Sequence, residues 1–168
     1  MYLGLNNTFD STIGGIARGE LILIGGKRGS GKSITGANIM VNQYESGNTS
    51  VFFTIEMSGK ETLDRTMSML SDVEYRDIKL NRLNPEQLLK VVKSRALMFQ
   101  DSDELVLDFM KHKDRFKFEQ ELVKTKELKK DNQIVIIDDR ALTLTSIDLH
   151  LGKLKAKFGD KLTTAVVD

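Results

Sequence analysis

Gly26-Lys27-Arg28-Gly29-Ser30-Gly31-Lys32-Ser33 fits the pattern G-x-x-x-x-G-K-[ST] with nothing inserted or missing. Residues of these types at this spacing can hold a polyphosphate. Glycines let successive main-chain N–H groups close around phosphate oxygens. Lys32 carries the counter-charge to the β and γ oxygens, and the Ser33 hydroxyl is placed to ligate Mg²⁺. The same pattern also arises by chance as a glycine-rich turn with a surface lysine, so its context decides. Leu21-Ile22-Leu23-Ile24 predicts a buried strand entering the loop. Ser33 to Tyr44 predicts a helix leaving it, with Ile34, Ala37, Met40, Val41 and Tyr44 at helical spacing. That helix would turn its N-terminus, the positive end of its dipole, toward the phosphates.

Holding a nucleotide is not yet hydrolysing it. A water must be oriented or deprotonated near the γ-phosphate, and Mg²⁺ needs a carboxylate beside the serine. Glu56 lies where a second predicted strand, Ser50 to Ile55, ends. In a parallel sheet that is the edge at which ligands bind. A carboxylate there could polarise the attacking water. It could equally be a solvated glutamate at a strand end, and the residues alone leave the two readings level. Two sites compete for the metal role, Asp138-Asp139 after Ile134-Val135-Ile136-Ile137, and Asp168 after Thr163-Thr164-Ala165-Val166-Val167. Both have an apolar strand followed by an acid. The more uniformly apolar strand favours Asp138 slightly.

The elements that must position these residues alternate along the chain. Ser58 with Glu61 forms a capping-box pattern that opens a helix to about Leu70. Asp77 to Asn84 reads as a polar connector. Asn84-Pro85 supplies an N-cap and a first-turn proline for a helix to about Met98. Thr145 with Asp148 predicts another capping box. The helix after it has Ile147, Leu151, Leu154 and Phe158 on one apolar face and is ended by Gly159. Strands separated by helical crossovers predict an α/β fold, a mainly parallel sheet flanked by helices. Residues 101–132 stand apart as a charged helical insertion. Asp101 to Asp131 carries nine acids and eight Lys or Arg around a thin apolar stripe of Leu105, Phe109, Phe116, Leu122, Val123 and Leu128. This predicts a solvated helix or hairpin lying over the sheet edge. A contact arm for a neighbouring subunit is the other reading.

Composition narrows the classes. The chain has 168 residues and a net charge of +1, which gives no argument for nucleic acid or an anionic membrane. It has no cysteine, which excludes disulfides, thiolate zinc sites and Cys nucleophiles and suits a reducing cytoplasm. No apolar run is long enough to span a bilayer. His112 and His150 lie far apart and are expected at the surface rather than as ligands.

An ordered set of short motifs resembles the first part of the ATPase domain of DnaB-type replicative hexameric DNA helicases, in the RecA-like P-loop group. The set begins with Phe9-Asp10, Gly14-Gly15 and Gly19-Glu20-Leu21 before the phosphate loop. It continues with Thr54-Ile55-Glu56-Met57, Arg65 on the following helix, and Asp77 to Leu83. It closes with Ile136-Ile137-Asp138-Asp139, Leu154-Lys155, Gly159 and Ala165-Val166-Val167-Asp168. The long charged stretch is more like phage relatives than bacterial ones. The resemblance implies a RecA-like P-loop fold over residues 1–168, with residues 1–20 as lead-in. It implies ATP bound by Gly26 to Ser33, Mg²⁺ held by Ser33 and Asp168, Lys32 on the phosphates and Glu56 as catalytic base. Asp138 and Asp139 then become structural.

The resemblance also implies a ring hexamer on single-stranded or forked DNA, in a bacterial or phage-infected cytoplasm, with a primase and a helicase loader as further partners. In that family a further strand separates the strand ending at the metal-binding acid from the phosphate-loop strand. The DNA-binding loops and an arginine supplied in trans follow it. The expectation is therefore a domain truncated at its C-terminal end that hydrolyses ATP poorly and does not unwind DNA alone. A recombinase or clock-type RecA relative shares the lead-in and the loop, and a non-catalytic nucleotide-binding module that docks through the charged stretch stays open beside it.

Overall fold

A computed structural model describes residues 1–168. Its sheet has three parallel strands, β1 (Thr49–Thr54), β2 (Ile134–Asp138) and β3 (Leu162–Val167), in the order β2-β1-β3. Eight helices surround it: α1 (Asn7–Ile13), α2 (Lys32–Glu45), α3 (Gly59–Ser71), α4 (Tyr75–Lys79), α5 (Pro85–Ala96), α6 (Asp103–His112), α7 (Arg115–Thr125) and α8 (Leu144–Phe158). The α/β class and the parallel sheet agree with expectation.

β1 is the centre. All six of its residues are buried, as a strand covered on both faces requires. Successive side chains point to opposite faces. Phe52 packs with Ala37 and Met40 of α2 on one face. Phe53 meets the ring of His150 edge-on, centroids 6.1 Å apart, on the other. His150 is therefore half-buried against the sheet, not a surface residue as its spacing predicted. Its imidazole supplies the flat body that covers Phe53.

The predicted strand Leu21–Ile24 does not form. The segment joins no ladder, and Leu21 and Leu23 are 96% and 93% exposed. Its apolar side chains suit a buried strand, but a strand exists only where a neighbour takes its N–H and C=O groups. The sheet ends at β3, and no strand stands between β3 and this segment.

Other differences are local. The connector at Asp77 contains the helix α4, because Tyr75 and Ile78 pack inward. α5 begins as predicted, with a full capping box between Asn84 and Gln87. α8 starts two residues early, because Thr143 rather than Thr145 makes the reciprocal cap, with Ser146. At α3 only half of the predicted box forms: Ser58 accepts from the Glu61 N–H, while the Glu61 carboxylate turns elsewhere.

The charged stretch folds as the hairpin α6–α7, and it does not simply lie over the sheet edge. Phe109, Phe118 and Leu122 are buried in one core with Met67 of α3 and Val91 and Val92 of α5. The rings of Phe109 and Phe118 meet at 6.0 Å. Of the predicted stripe, Phe116 and Val123 face outward and Phe118 takes their place, because the turn at Lys113 (φ 57°) resets the helical phase. Arg95 donates to Glu119 at 2.8 Å and locks α5 to α7.

Asp64 on α3 lies 4.0 Å from Arg115 in the same interface. Burial raises its pKa above the ordinary carboxylate value, and the attraction of Arg115 only partly offsets that. At neutral pH the ionised Asp64 therefore costs stability. As pH falls through its raised pKa the folded state takes up a proton before the unfolded state does, and the cost disappears. Asp64→Asn is expected to raise the thermal midpoint at pH 7. The advantage should shrink as pH approaches about 4, where the unfolded carboxyl also protonates. Melting curves of parent and variant at both pH values check this, and a less stable variant at pH 7 would show that the Arg115 pair outweighs desolvation.

Candidate functional site

The carboxyl ends of the strands meet at one edge of the sheet. The Ile55 N–H donates to the Asp168 carbonyl at 2.9 Å, and the Asp168 N–H donates to the Phe53 carbonyl at 3.0 Å. Glu56 is thus carried on the turn just after β1, next to the residue that ends β3. Thr54 fixes that turn, its hydroxyl donating to the Met57 carbonyl at 2.9 Å.

The phosphate-loop sequence comes to the same edge through α2, not through a strand. α2 crosses β1 and β3 so closely that a Cβ on Gly36 would stand 2.9 Å from a methyl of Val166. This contact holds the helix start beside β3, and the Ser33 hydroxyl donates to Asp168 Oδ1 at 3.0 Å. No side chain caps α2. Its N-cap is Gly31, at φ 90°. The first-turn N–H groups are left for whatever enters the cleft. Gly29, at φ 78°, makes the turn before it. Lys32 folds back, its ammonium donating to the carbonyls of Gly26 and Lys27 at 3.0 and 3.1 Å. Gly26 has no room for a Cβ beside the Ser30 hydroxyl.

An open cleft of about 950 Å³ is lined by Arg28, Gly29, Gly31, Lys32, Ser33, Ile34, Ile55, Glu56, Arg65 and Asp168. The structure therefore brings together Lys32, Ser33, Glu56 and Asp168, which the sequence singled out. Asp138 is not among them. Its carboxylate accepts from the Gly59 N–H at 2.7 Å and caps the start of α3 from the end of β2. The slight preference that strand pattern gave Asp138 is overturned by position: β2 lies across β1 from the helix that carries Ser33. Asp139 accepts from the Ala141 N–H and shapes the turn into α8.

Two buried polar atoms of the cleft have no partner, Asp168 Oδ2 and Arg65 Nε. Asp168 and Arg65 set charges of opposite sign on the walls of one cleft, which suits a ligand carrying both signs. A divalent cation and its phosphates have that character. No cluster of three or more His, Cys, Asp or Glu could hold a metal unaided. Mg²⁺ needs only one or two protein ligands and completes its shell with phosphate oxygens and water, and the hydrogen-bonded Ser33–Asp168 pair could supply them. The residues present fit that ion. Sequence reasoning placed Arg65 on the right helix without giving it a task. Nothing local in the sequence marks which face of α3 turns to the cleft.

No helix is long and apolar enough to cross a membrane. A search of curated proteins returned no match. The family model described as the DnaB-like helicase C-terminal domain matches residues 4–168.

Proposed function

Since the chain belongs to the DnaB-like helicase C-terminal domain family, we propose that it is the ATP-hydrolysing motor of a replicative DNA helicase, coupling turnover to movement on single-stranded DNA and to duplex unwinding. The observation that carries this reading is the hydrogen bond from Ser33 to Asp168 at 3.0 Å, in a cleft shared with Lys32 and Glu56.

In that reading the free N–H groups at the start of α2 and the Lys32 ammonium bind the β- and γ-phosphates. Lys32 exchanges its two carbonyl partners for phosphate oxygens. Ser33 and Asp168 would hold Mg²⁺, which when bound would supply charge neutralisation at the phosphates. Glu56 accepts a proton from water as the water oxygen bonds to the γ-phosphorus. The bond from that phosphorus to the β–γ bridging oxygen breaks, leaving ADP and inorganic phosphate. DNA at a fork, further copies of this chain in a ring of six, and a primase and loader are the partners this reading names, and it takes them from family membership.

The test is nucleotide binding. Lys32→Ala is expected to weaken Mg·ATP by about ten- to hundredfold, the loss of a charge-assisted phosphate contact. Fluorescent-nucleotide titration of parent and variant measures it. Equal affinity in the two proteins would overturn the assignment of the loop.

A further inference from the structure

Arg65 reaches the cleft from the second turn of α3, and its support is more elaborate than a surface ion pair needs. Its guanidinium donates to Glu61 Oε1 at 3.0 Å, one turn back. The Tyr75 hydroxyl donates to that same oxygen at 3.1 Å, and the Lys79 ammonium lies 3.9 Å from it. The Tyr75 ring sits under the guanidinium, 5.0 Å from its centre. The hydrogen bonds from Arg65 and Tyr75 hold the Glu61 carboxyl below the usual carboxylate range, so it stays ionised. These groups converge on one carboxylate oxygen and one aromatic face, and α4 exists in part to deliver two of them.

The clamp engages one amino group of the guanidinium, Nη2, and leaves Nη1 with no acceptor in the protein. Nε is buried and has no acceptor. Neither Glu56 nor Asp168, the acids in the same cleft, pairs with it. A guanidinium fork suits two oxygens of a phosphate or carboxylate. The cleft already holds a serine–aspartate pair and a lysine, so phosphate is the matching ligand.

We propose that Glu61 and Tyr75 are positioning residues that aim Arg65 at the terminal phosphate of a bound nucleoside triphosphate, so that Arg65 separates triphosphate from diphosphate. This rests on the nucleotide reading above. It explains why Glu61 abandons the capping box its sequence position predicts: the carboxylate is committed to Arg65 and Tyr75. It also gives Nη1, which donates to nothing in the protein, a partner present only when the γ-phosphate is.

The experiment compares Mg·AMP-PNP with Mg·ADP, as fluorescent derivatives, on the parent and on Arg65→Gln, Arg65→Lys, Tyr75→Phe and Lys32→Ala, with a thermal melt of each. Arg65→Gln should lose about ten- to hundredfold in AMP-PNP affinity and change ADP affinity by no more than about twofold. Arg65→Lys keeps the charge without the fork and should fall between. Tyr75→Phe keeps the ring, loses the hydroxyl, and should show a smaller loss confined to AMP-PNP. Equal weakening of both nucleotides with a lowered melt would make Arg65 structural and overturn the proposal. So would Arg65 variants that bind both nucleotides like the parent while Lys32→Ala weakens both. If the parent binds neither nucleotide and Lys32→Ala is indistinguishable from it, the nucleotide reading itself falls and takes this one with it.

Discussion

Glu56→Gln is expected to bind Mg·ATP within about twofold of the parent and to lose about 10²- to 10⁴-fold in turnover, the range associated with a positioned general base. The exchange keeps the size and shape of the side chain and removes its capacity to take a proton. Glu56 stands on the turn directly after β1, beside the Asp168 backbone that ends β3, and opens to the cleft. It forms no hydrogen bond or ion pair with another side chain, so its replacement leaves no buried partner stranded. Binding and chemistry should therefore separate cleanly. Phosphate release under single-turnover conditions, with the chain in excess over ATP, reads the chemical step even where the starting rate is low. A fluorescent-nucleotide titration reads binding. A variant that hydrolyses within about threefold of the parent would remove Glu56 from the mechanism and favour a module that binds nucleotide without using it. Loss of binding together with turnover would give Glu56 a structural role.

Phe52→Ala should cost about 3–5 kcal/mol, the usual range for emptying a buried aromatic site. A domain of this kind has only about 5–15 kcal/mol in total. Phe52 is fully buried at the centre of the middle strand, and it joins α2 to the sheet through Ala37 and Met40. Only 31 of 168 residues are buried, so little else can absorb the cavity. Urea unfolding should show a midpoint lowered by roughly 1 M or more, given slopes of about 1–3 kcal/mol per M. Phe116→Ala removes the same ring from a site 73% exposed and should change stability by no more than about 0.5 kcal/mol. Equal effects from the two would mean that α2 is not held to the sheet through Phe52. Because α2 carries Lys32 and Ser33, a partly folded Phe52→Ala protein should also lose nucleotide affinity.

Much of this protein is written locally. The eight-residue loop, the N-caps at Ser58 and Asn84, and the three apolar strands each depend on residues within a few positions of one another. These are the elements that sequence reading located. Family membership was also legible, because it rests on the order of such local motifs. What could not be read are the features that depend on a partner distant in sequence.

Leu21 to Ile24 has the side chains of a buried strand, yet its hydrogen bonds require a neighbour, and no strand of the sheet provides one. Asp138 and Asp168 follow strands of the same character. Only the strand order β2-β1-β3, with α2 packed on the β3 side through Gly36 and Val166, puts Asp168 beside Ser33 and sends Asp138 to cap α3. Glu61 fits a capping box three residues after Ser58, but Arg65 and Tyr75 compete for its carboxylate and win. Two charge-assisted hydrogen bonds outweigh one to the Ser58 main-chain N–H. The sequence alone determined which groups could act on a nucleotide, since that is a matter of residue type and short spacing. The tertiary structure alone decided which of them share a cleft, since strand order and helix packing are contacts between residues as much as 135 positions apart.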